Sequence, residues 1–324
     1  MDRGDAMARL EALVIGADFG PDWLSGLQAR FPDLRISQGR GLEEYGPALA
    51  EADAYCGWQL SPAALAAAPN LRWVQAITAG VDSFLYPELL ERGILLTNMS
   101  GVHASNISEH VLALILGFAR NLPELRDAQG RGEWKQVVNR QFELTGQTLC
   151  IVGLGDIGLA LAAKAAALGM RVSGVRNRPL PAHGIGTVAT PDTMRPLLAE
   201  ADHVALCMPL TPGSRNLFNA ERLSWIKPGA YLYNIGRGET LDQDALLAAL
   251  RSGHLRGAGL DVTTPEPLPA EHPFWRMPNV VITAHTSGAS PLLWGRMRDL
   301  LADNIARYRA GQPLRNVVDP TLGY

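Results

Sequence analysis

The chain has 324 residues, of which 47% are hydrophobic, and it carries a formal net charge of −3 at pH 7. A chain of this length exceeds one ordinary hydrophobic core, which predicts two domains. Its slightly acidic balance excludes the broad basic surface of a nucleic-acid-binding protein. The three cysteines, Cys56, Cys150 and Cys207, lie far apart in the sequence. This spacing argues against a disulfide framework and a CxxC metal motif, and it is typical of a reducing compartment.

Secretory, membrane and metal-binding functions also lack their usual sequence signals. The N-terminal stretch MDRGDAMARLEALVIGA has no apolar run before a cleavage site, so we expect no signal peptide. The longest helical apolar run, residues 111–119, is far shorter than the ~20 residues of a membrane helix. The seven histidines come without an HExxH motif or clustered carboxylates, so we predict no metal site. We therefore expect a cytoplasmic protein.

Strand and helix patterns alternate through about the first hundred residues. Pro21 opens the first helix pattern and Ser61 is placed to cap the third. Short apolar strands that alternate with helices indicate a parallel sheet with helices on both faces. The strand patterns are LEALVIGA, LRISQG, AYCGW, RWVQAI and ILLTN, and the helix patterns are PDWLSGLQARF, LEEYGPALAEA, SPAALAAAPN and PELLERG.

A longer helix follows this first series. Ser105, with Ser108 and Glu109, forms a pattern typical of a capped helix start. The helix is expected to run to about Asn121, where Leu122 and Pro123 stop it.

A second alternating series begins beyond Gly146 and predicts a second α/β domain. A last helix is expected over about residues 291–310. Segments 177–189 and 263–278 are rich in proline and glycine and are expected to be irregular. The strand patterns of the second series are TLCIVGLG, RVSGV, HVALCMPL, AYLYNIG, GAGLDV and VVITAH.

The motif GLGDIG at 153–158 lies between the strand TLCIV and a helix pattern. Gly153 permits a tight turn, Gly155 lets the backbone approach a pyrophosphate, and Gly158 lets the helix pack on the strand. The helix N-terminus then faces the anion. Because this GxGxxG stands inside a βαβ unit of the right length, we interpret it as a dinucleotide site.

The next strand of that unit, RVSGV, ends in Arg176, Asn177 and Arg178. An NAD site places a carboxylate there for the ribose 2′-hydroxyl, whereas an NADP site needs a guanidinium for the 2′-phosphate. Residues 170–190 contain no Asp or Glu. We therefore predict that the protein favours NADP(H) over NAD(H), although a solvated loop with incidental arginines stays open.

Three residues suited to chemistry follow three strand patterns of the second series: Arg237, Glu266 and His285. Ligands of open α/β sheets bind beyond the carboxyl ends of the strands. A histidine can exchange a proton near neutral pH, and a carboxylate beside it can orient its ring. An arginine can hold a substrate carboxylate by a two-pronged contact. Together they predict reduction or oxidation of a group next to a carboxylate.

The motifs of this chain resemble those of the D-isomer-specific 2-hydroxyacid dehydrogenase family, in the family's order and over nearly the whole chain. Ala284 departs from the proline that is frequent before the family's histidine, which we expect to alter only the turn. The matching stretches are AGVDS at 79–83, NISEHVLALIL at 106–116, GLGDIG at 153–158, PLTPGSRNLFNAERLSWIKPGAYLYNIGRGETLDQDALLAAL at 209–250, GLDVTTPEPL at 259–268 and TAHTSG at 283–288.

The resemblance implies roles for single residues. Arg237 orients the substrate, His285 is the acid or base, and Glu266 is its partner. The cofactor would contact the glycine turn, including Asp156 and Ile157, and also Cys207, Pro209, Ile235, Asp261 and Gly288. The backbone N–H groups of Ala79 and Gly80 would bind the substrate carboxylate, and Trp58 would face the substrate. Trp134, on an arm that crosses to a partner subunit in relatives, would border either the pocket or only the dimer interface.

The family architecture implies a Rossmann-type cofactor domain inserted into a discontinuous, flavodoxin-like α/β substrate domain. Residues 1–102 and 290–324 would form the substrate domain and residues 103–289 the dinucleotide-binding domain, with the cleft between them. Residues 105–140 would form an arm that joins two copies into a homodimer. We expect no nucleic-acid or membrane partner.

The implied function is NADPH-dependent reduction of a small 2-oxo acid to the (R)-2-hydroxy acid, with glyoxylate and hydroxypyruvate as leading substrates. A bulkier aliphatic or aryl 2-oxo acid stays open, because the loop 55–60 and Trp134 would set the pocket size. An alternative of another class is a dinucleotide-gated binding module with little turnover, as in the C-terminal-binding corepressors. The complete set of Arg237, Glu266 and His285 argues against that alternative.

Overall fold

The structure is a computed structural model that describes residues 10–138 and 140–323. Residues 1–9 and 324, in the predicted substrate domain, lie outside the described residues, as does Asn139 in the predicted arm. The chain divides into two compact units. Unit 1 comprises Met1–His103 and Ser290–Tyr324, and unit 2 comprises Ala104–Ala289.

Unit 1 is built on a five-stranded parallel sheet with the strand order β2-β1-β3-β4-β5. This order is the flavodoxin-like one. The strands are β1 (Ala12–Gly16), β2 (Arg35–Gln38), β3 (Ala54–Gly57), β4 (Trp73–Ala76) and β5 (Leu95–Thr97), and the helices are α1 (Pro21–Arg30), α2 (Leu42–Leu49), α3 (Pro62–Ala66), α4 (Pro87–Glu91) and, from the far end of the sequence, α11 (Leu293–Arg309).

Both faces of this sheet are buried because side chains alternate along each strand. Leu13 and Ile15 belong to a core cluster that includes residues of α1 and α11, whereas Val14 belongs to a second cluster with residues of α2, α3 and α4. The rings of Trp73 and Tyr308 stack with centroids 5.6 Å apart, which joins β4 to α11.

A buried polar network also joins the sheet of unit 1 to α11. Thr97 Oγ1 donates to Gln75 Oε1 at 2.9 Å, and Asn304 Nδ2 donates to the same oxygen at 3.0 Å. Trp73 Nε1 donates to Thr97 Oγ1 at 2.8 Å, and the backbone N–H of Arg315 donates to Asn304 Oδ1 at 2.8 Å. Gln75, Thr97 and Asn304 have no exposed surface, so these partners satisfy groups that water does not reach.

Unit 2 is built on a seven-stranded parallel sheet with the order β12-β11-β10-β9-β6-β7-β8. The order reverses at β6, as in a Rossmann fold, and the predicted fold class is confirmed. The strands are β6 (Thr148–Val152), β7 (Arg171–Val175), β8 (Thr187–Ala189), β9 (His203–Leu206), β10 (Ala230–Asn234), β11 (Leu255–Leu260) and β12 (Val280–Ile282), and the helices are α5 (Ala104–Ala119), α6 (Leu122–Gly130), α7 (Asp156–Ala167), α8 (Arg195–Glu200), α9 (Ala220–Ser224) and α10 (Gln243–Arg251).

Three local predictions were wrong. The segment 177–189 is not entirely irregular, because Thr187–Ala189 pairs with β7 as an edge strand. The segment 263–278 contains a 3₁₀ helix at Pro273–Arg276. Ser105 does not cap α5, which begins at Ala104, and its hydroxyl instead donates to Glu109 inside the helix. The Ser61 cap is confirmed, since its hydroxyl accepts from the N–H of Ala64.

Two structural features are absent from the described residues. None of the described helices is long and apolar enough to cross a membrane. Within residues 10–138 and 140–323, no group of three or more His, Cys, Asp or Glu side chains is arranged to hold a metal ion.

Candidate active site

The glycine turn between β6 and α7 has the backbone that a dinucleotide requires. Gly153 has φ +106°, and a Cβ there would lie 2.6 Å from the backbone nitrogen of Met208. A Cβ on Gly158 would lie 2.1 Å from the carbonyl oxygen of Gly153, so the helix could not pack this closely. Gly155, the N-cap of α7, has open space where its Cβ would be. A pyrophosphate can therefore approach the helix N-terminus there.

Basic and amide side chains follow β7 at residues 176–178. The Arg176 guanidinium donates to the carbonyl oxygens of Leu180 and Pro181, and its Nε is buried without a hydrogen-bond partner among the described residues. Asn177 and Arg178 are exposed. The segment that follows β7 therefore presents cations at its surface, with Arg176 partly held by the loop.

The other predicted cofactor residues follow the neighbouring strands. Cys207 follows β9 and is half-buried, and its N–H donates to the carbonyl of Val152 at 2.8 Å. Pro209 is exposed two residues further on. Ile235 follows β10 and is buried. All three lie beyond carboxyl ends of central strands of the same sheet, where ligands of this fold bind.

Arg237 stands at the end of β10 and caps a 3₁₀ helix, Gly238–Thr240. Its carbonyl oxygen accepts hydrogen bonds from Asn234 Nδ2 at 3.1 Å and Thr240 Oγ1 at 2.7 Å. Its guanidinium donates to the carbonyl of Gly236 at 2.9 Å. Asn234 and Thr240 have no exposed surface, so the backbone that carries Arg237 is fixed from within the unit.

His285 and Glu266 form a direct pair. Nδ1 of His285 lies 2.8 Å from Oε2 of Glu266, and the side chains are 51% and 39% exposed. The other carboxylate oxygen, Oε1, accepts the N–H of Thr263 at 3.0 Å. One oxygen of Glu266 is thereby held by the backbone while the other orients the imidazole, which leaves Nε2 of the ring for a ligand.

The turn that carries His285 has an unusual backbone. Ala284 has φ +49° and His285 has φ +56°, two consecutive non-glycine residues in the left-handed region. Such residues cost on the order of 1–3 kcal/mol each and persist where the surroundings hold them. A proline, whose ring fixes φ near −65°, could not adopt the conformation of Ala284. The departure at Ala284 therefore accompanies a left-handed turn.

Asp261 holds this turn. Its side chain is buried, and its Oδ1 accepts from the N–H groups of Thr286 at 2.9 Å and Ser287 at 3.2 Å. Its backbone carbonyl accepts the N–H of His285 at 2.6 Å. Gly288, a predicted cofactor residue, comes directly after Ser287 in the chain. Asp261 therefore shapes the backbone around the imidazole, a contact that its predicted cofactor role had not suggested.

Arg237, Glu266 and His285 line one cavity of about 250 Å³ within unit 2. The sequence predicted these residues at three separate strand ends, and the fold brings them to a common opening. The remaining lining residues come from the two loops that carry Arg237 and Glu266: Gly238, Glu239, Thr263, Thr264 and Pro265.

The predicted carboxylate-binding loop belongs to unit 1 and follows β4. Asn98 Nδ2 donates to the carbonyl of Ala79 at 2.8 Å, and Thr78 Oγ1 donates to the carbonyl of Gly80 at 2.5 Å. Both carbonyl groups are thus turned toward the body of unit 1. Trp58 follows β3 in the same unit, with 47% of its surface exposed.

Trp134 lies in unit 2, in the segment after α6. It is 95% exposed, the highest value among the large hydrophobic side chains of the described residues that are exposed. It lines a shallow depression of about 410 Å³ together with residues of α6 and the following turn. The structure does not bring Trp134 to the cavity of His285, since neither set of lining residues contains a member of the other.

Other reactive side chains are buried away from this cavity. Burial raises the pKa of the Cys56 and Cys150 thiols to about 12, so neither is a ready nucleophile. Burial lowers the pKa of His203 to about 4, and its Nδ1 lies 3.0 Å from the hydroxyl of Tyr233. These groups belong to the cores of the two units.

Sequence reasoning missed the contact of two side chains beside the turn that carries His285. His110 Nε2, on α5, lies 2.9 Å from Thr283 Oγ1, and Thr283 Oγ1 donates to Asp261 Oδ1 at 2.6 Å. The available signal was a histidine within an otherwise apolar helix pattern. It gave no indication of a partner far along the chain.

Comparison with known proteins agrees with this geometry. Residues 112–287 match the family model of the D-isomer specific 2-hydroxyacid dehydrogenase, NAD binding domain. A glyoxylate/hydroxypyruvate reductase B of Pectobacterium carotovorum is 35% identical over 282 residues, which cover 85% of this chain and 88% of that protein.

Two solved structures extend the likeness to the whole fold. A D-isomer specific 2-hydroxyacid dehydrogenase of Xanthobacter autotrophicus, in complex with NADPH and MES, has a TM-score of 0.88 and 33% identity, covering 98% of this chain and all of that one (100%). An NADPH-dependent glyoxylate/hydroxypyruvate reductase of Sinorhizobium meliloti, in complex with NADP and sulfate, has a TM-score of 0.85 and 28% identity, covering 97% and 100%. With its two α/β units, its glycine turn and these matches, the chain belongs to the D-isomer specific 2-hydroxyacid dehydrogenase family.

Proposed function

We propose that this chain reduces small 2-oxo acids, with glyoxylate and hydroxypyruvate as leading substrates, to (R)-2-hydroxy acids and prefers NADPH. The observation that carries the proposal is the contact of His285 Nδ1 with Glu266 Oε2 at 2.8 Å, in a cavity that Arg237 also lines. A proton donor beside a guanidinium suits a carbonyl group that neighbours a carboxylate. The activities named for the Pectobacterium and Sinorhizobium proteins support this substrate class.

His285 acts as the acid in the proposed reduction. Because Glu266 Oε2 accepts the hydrogen on Nδ1, Nε2 is the ring atom that exchanges a proton with the substrate. Bound NADPH supplies the hydride for the carbonyl carbon. The carbonyl oxygen takes its proton from Nε2 of His285, and Glu266 stabilises the imidazolium before transfer. One hydride and one proton convert the carbonyl group into the alcohol.

Arg237 and the loop of unit 1 are proposed to hold the substrate. The guanidinium can make a two-pronged contact with a carboxylate, which fixes the neighbouring carbonyl in front of His285. The backbone N–H groups of Ala79 and Gly80 are the proposed second contact. In this proposal residues 1–102 and 290–324 form the substrate domain, and residues 103–289 form the dinucleotide-binding domain.

The glycine turn fits a dinucleotide, since Gly153 and Gly158 have no room for a side chain and Gly155 faces open space. Arg176, Asn177 and Arg178 are proposed to contact the 2′-phosphate. The Nε of Arg176 is buried and has no hydrogen-bond partner among the described residues, which supports this assignment because a phosphate oxygen would satisfy it. The Sinorhizobium protein, which was solved with NADP, supports the same preference.

Initial rates with glyoxylate, hydroxypyruvate, pyruvate and phenylpyruvate, each with NADPH and NADH, test the substrate and cofactor together. We expect the highest kcat/KM with a small acid and NADPH. His285→Asn should lower kcat by roughly 10²–10⁴-fold, the range for loss of a general acid. His254→Asn, which alters a histidine of the same unit whose ring contacts the carbonyl of Leu223 at 3.1 Å, is the matched control. Wild-type turnover by His285→Asn would overturn the proposal, and rates that favour phenylpyruvate would indicate a larger pocket.

The cofactor preference has its own variants. Arg178→Gln removes an exposed charge without disturbing the contacts of Arg176 with Leu180 and Pro181. We expect Arg176→Asp to lower kcat/KM for NADPH and to raise it for NADH, with a smaller effect from Arg178→Gln. Arg171→Gln, at the opposite end of β7, is the control. An unchanged NADPH preference in both test variants would show that these arginines do not bind the 2′-phosphate of the cofactor.

A homodimer formed through residues 105–140 is part of the proposal. Trp134 is 95% exposed, Val138 68% and Leu122 54%, and a subunit interface over this segment would cover apolar surface that water now contacts. Light scattering after size exclusion should give twice the mass of the chain, and Trp134→Glu should shift it toward the single chain.

A further inference from the structure

The network of His110, Thr283 and Asp261 lies directly behind the turn that carries His285. His110 Nε2 is 2.9 Å from Thr283 Oγ1, and Thr283 Oγ1 is 2.6 Å from Asp261 Oδ1. The His110 side chain is 22% exposed and Asp261 has no exposed side-chain surface. These contacts connect α5 to the end of β11 through one hydroxyl group.

The direction of the two hydrogen bonds follows from a proton count. A threonine hydroxyl has one hydrogen, and an ionised carboxylate accepts but cannot donate. The short contact between Thr283 and Asp261 therefore uses the only hydroxyl hydrogen of Thr283. The oxygen of Thr283 then accepts from His110, so Nε2 of His110 carries a hydrogen.

A second contact from the same helix supports the turn. Asn106 precedes His110 by one helical turn, so both side chains lie on one face of α5. Asn106 Nδ2 donates to the carbonyl of Ser287 at 3.0 Å. Helix α5 thus contacts both ends of the turn, Thr283 on one side of His285 and Ser287 on the other.

The turn needs this support because its conformation is costly. Ala284 and His285 both have positive φ, and such residues persist only where surrounding contacts determine them. Asp261 supplies most of those contacts, through the N–H groups of Thr286 and Ser287 and the hydroxyl of Thr283. His110 determines which way the Thr283 hydroxyl points.

We propose that His110 is a positioning residue: its Nε2–H directs the single hydroxyl hydrogen of Thr283 to Asp261, and so holds the left-handed turn that presents His285 to Glu266. The inference rests on the proposed role of His285. His110 touches neither substrate nor cofactor in this assignment and acts through Thr283.

Side-chain replacements separate this role from simple packing. His110→Gln can place an amide N–H near the position of Nε2, whereas His110→Asn is one methylene shorter and His110→Phe fills the space without a donor. Thr283→Val removes the hydroxyl at constant shape, and Thr283→Ser keeps it. We expect His110→Phe, His110→Asn and Thr283→Val to lower kcat about tenfold, with KM for glyoxylate within about twofold of wild type. We expect kcat of His110→Gln and Thr283→Ser to stay within about threefold of wild type.

The double variant His110→Phe/Thr283→Val gives the most specific result. Two residues that act through one hydrogen-bonded chain are not additive, so the double variant should lose about tenfold rather than about a hundredfold. His254→Phe, which removes one histidine contact elsewhere in unit 2, should leave kcat unchanged. If His110→Phe does not fold, the contrast between Gln and Asn at position 110 carries the same test.

The ring nitrogens of His110 give a readout without turnover. Nitrogen-15 NMR of the histidine side chains, assigned with His110→Gln, should show Nε2 protonated at pH 8. A ring with unprotonated Nε2, wild-type kcat in His110→Phe, or a multiplicative loss in the double variant would each overturn the inference. If His285→Asn retained wild-type turnover, the proposed function would fail instead, which distinguishes the two failures.

Discussion

In unit 1 most of the buried polar side chains join distant parts of the chain, whereas in unit 2 most of them shape the turns that follow the strands. Gln75 and Asn304 meet across 229 positions of sequence and hold α11 against the sheet. Asn234 and Asp261 instead stand at the ends of β10 and β11, where they fix the backbone of Arg237 and His285.

The difference separates two uses of the same chemistry. A buried polar group is costly unless it is paired, so each network must be complete. In unit 1 a complete network specifies how a discontinuous chain closes. In unit 2 it holds conformations that packing alone does not favour, including the consecutive positive φ values at Ala284 and His285. We therefore expect substitutions in the first network to change stability, and substitutions in the second to change turnover.

Asp261→Asn should have the largest effect. The neutral amide oxygen accepts more weakly than the carboxylate from Thr283, Thr286 and Ser287, and an NH2 group replaces the Oδ2 that also accepts from Ser287, so the anchor of the His285 turn is weakened. We expect kcat to fall on the order of 10³-fold, with the free energy of unfolding reduced by no more than about 2 kcal/mol. Steady-state kinetics and urea unfolding measure both. Unfolding without a separate loss of turnover would break the comparison.

His203 is a buried polar group of unit 2 that lies at the opposite end of its strand, as the first residue of β9. Burial lowers its pKa to about 4, while the carboxylate of Asp202 opposes this shift. In the unfolded chain this histidine has a pKa near 6.5, so between pH 6.5 and pH 4 it binds a proton that the folded state does not bind. The free energy of unfolding should therefore decrease from pH 6.5 to pH 4, by roughly 3 kcal/mol.

Urea unfolding of wild type and His203→Phe between pH 7 and pH 4 tests this contribution. The phenyl ring keeps the stacking on Tyr231 but cannot titrate. The difference in free energy of unfolding between wild type and His203→Phe should therefore shrink as the pH falls. A constant difference would show that His203 does not contribute to acid sensitivity.

Asn304→Leu should mainly affect stability. The substitution keeps the volume but leaves the N–H of Arg315 without its acceptor and removes one of the two donors to Gln75 Oε1. We expect a loss of about 2 kcal/mol in the free energy of unfolding, with kcat within about twofold of wild type. Lower kcat at unchanged stability would contradict the division between the two networks.

Asn98→Ala should give the smallest effect and would sharpen the comparison, because it removes a turn-shaping contact from unit 1. The side chain donates to the carbonyl of Ala79, in the proposed carboxylate loop. We expect KM for glyoxylate to rise about fivefold with kcat nearly unchanged. Asn70→Ala, which removes a similar contact to the carbonyl of Ala50, should leave KM unaltered.

The sequence was sufficient for the fold because its strands are apolar and evenly spaced. Eleven of the twelve described strands overlap a predicted strand pattern, and these include all of the central ones, whereas the missed strand β8 has three residues at a sheet edge. Thr187–Ala189 becomes a strand only because β7 offers it a partner. Likewise, the residues near Ser105 read as a cap, but the helix begins one position earlier.

Part of the candidate site could be predicted from the sequence for the same reason. Arg237, Glu266 and His285 could be found because each follows a recognisable strand. His110 could not be linked to Thr283, since 173 positions separate them and only the packing of α5 brings them together. The left-handed conformation of Ala284 also depends on contacts with Asp261 that no local pattern encodes.

The discontinuity of unit 1 has a consequence for how the protein is made. Leu293, Met297, Leu301 and Tyr308 of α11 belong to the same core as β1 and β3. A ribosome completes every residue of unit 2 before it reaches α11. The sheet of unit 1 therefore cannot be covered by α11 until unit 2 has been synthesised. Domains generally fold as units during synthesis. We therefore expect unit 2 to fold first, with the N-terminal segment reaching its final state only after α11 has been made.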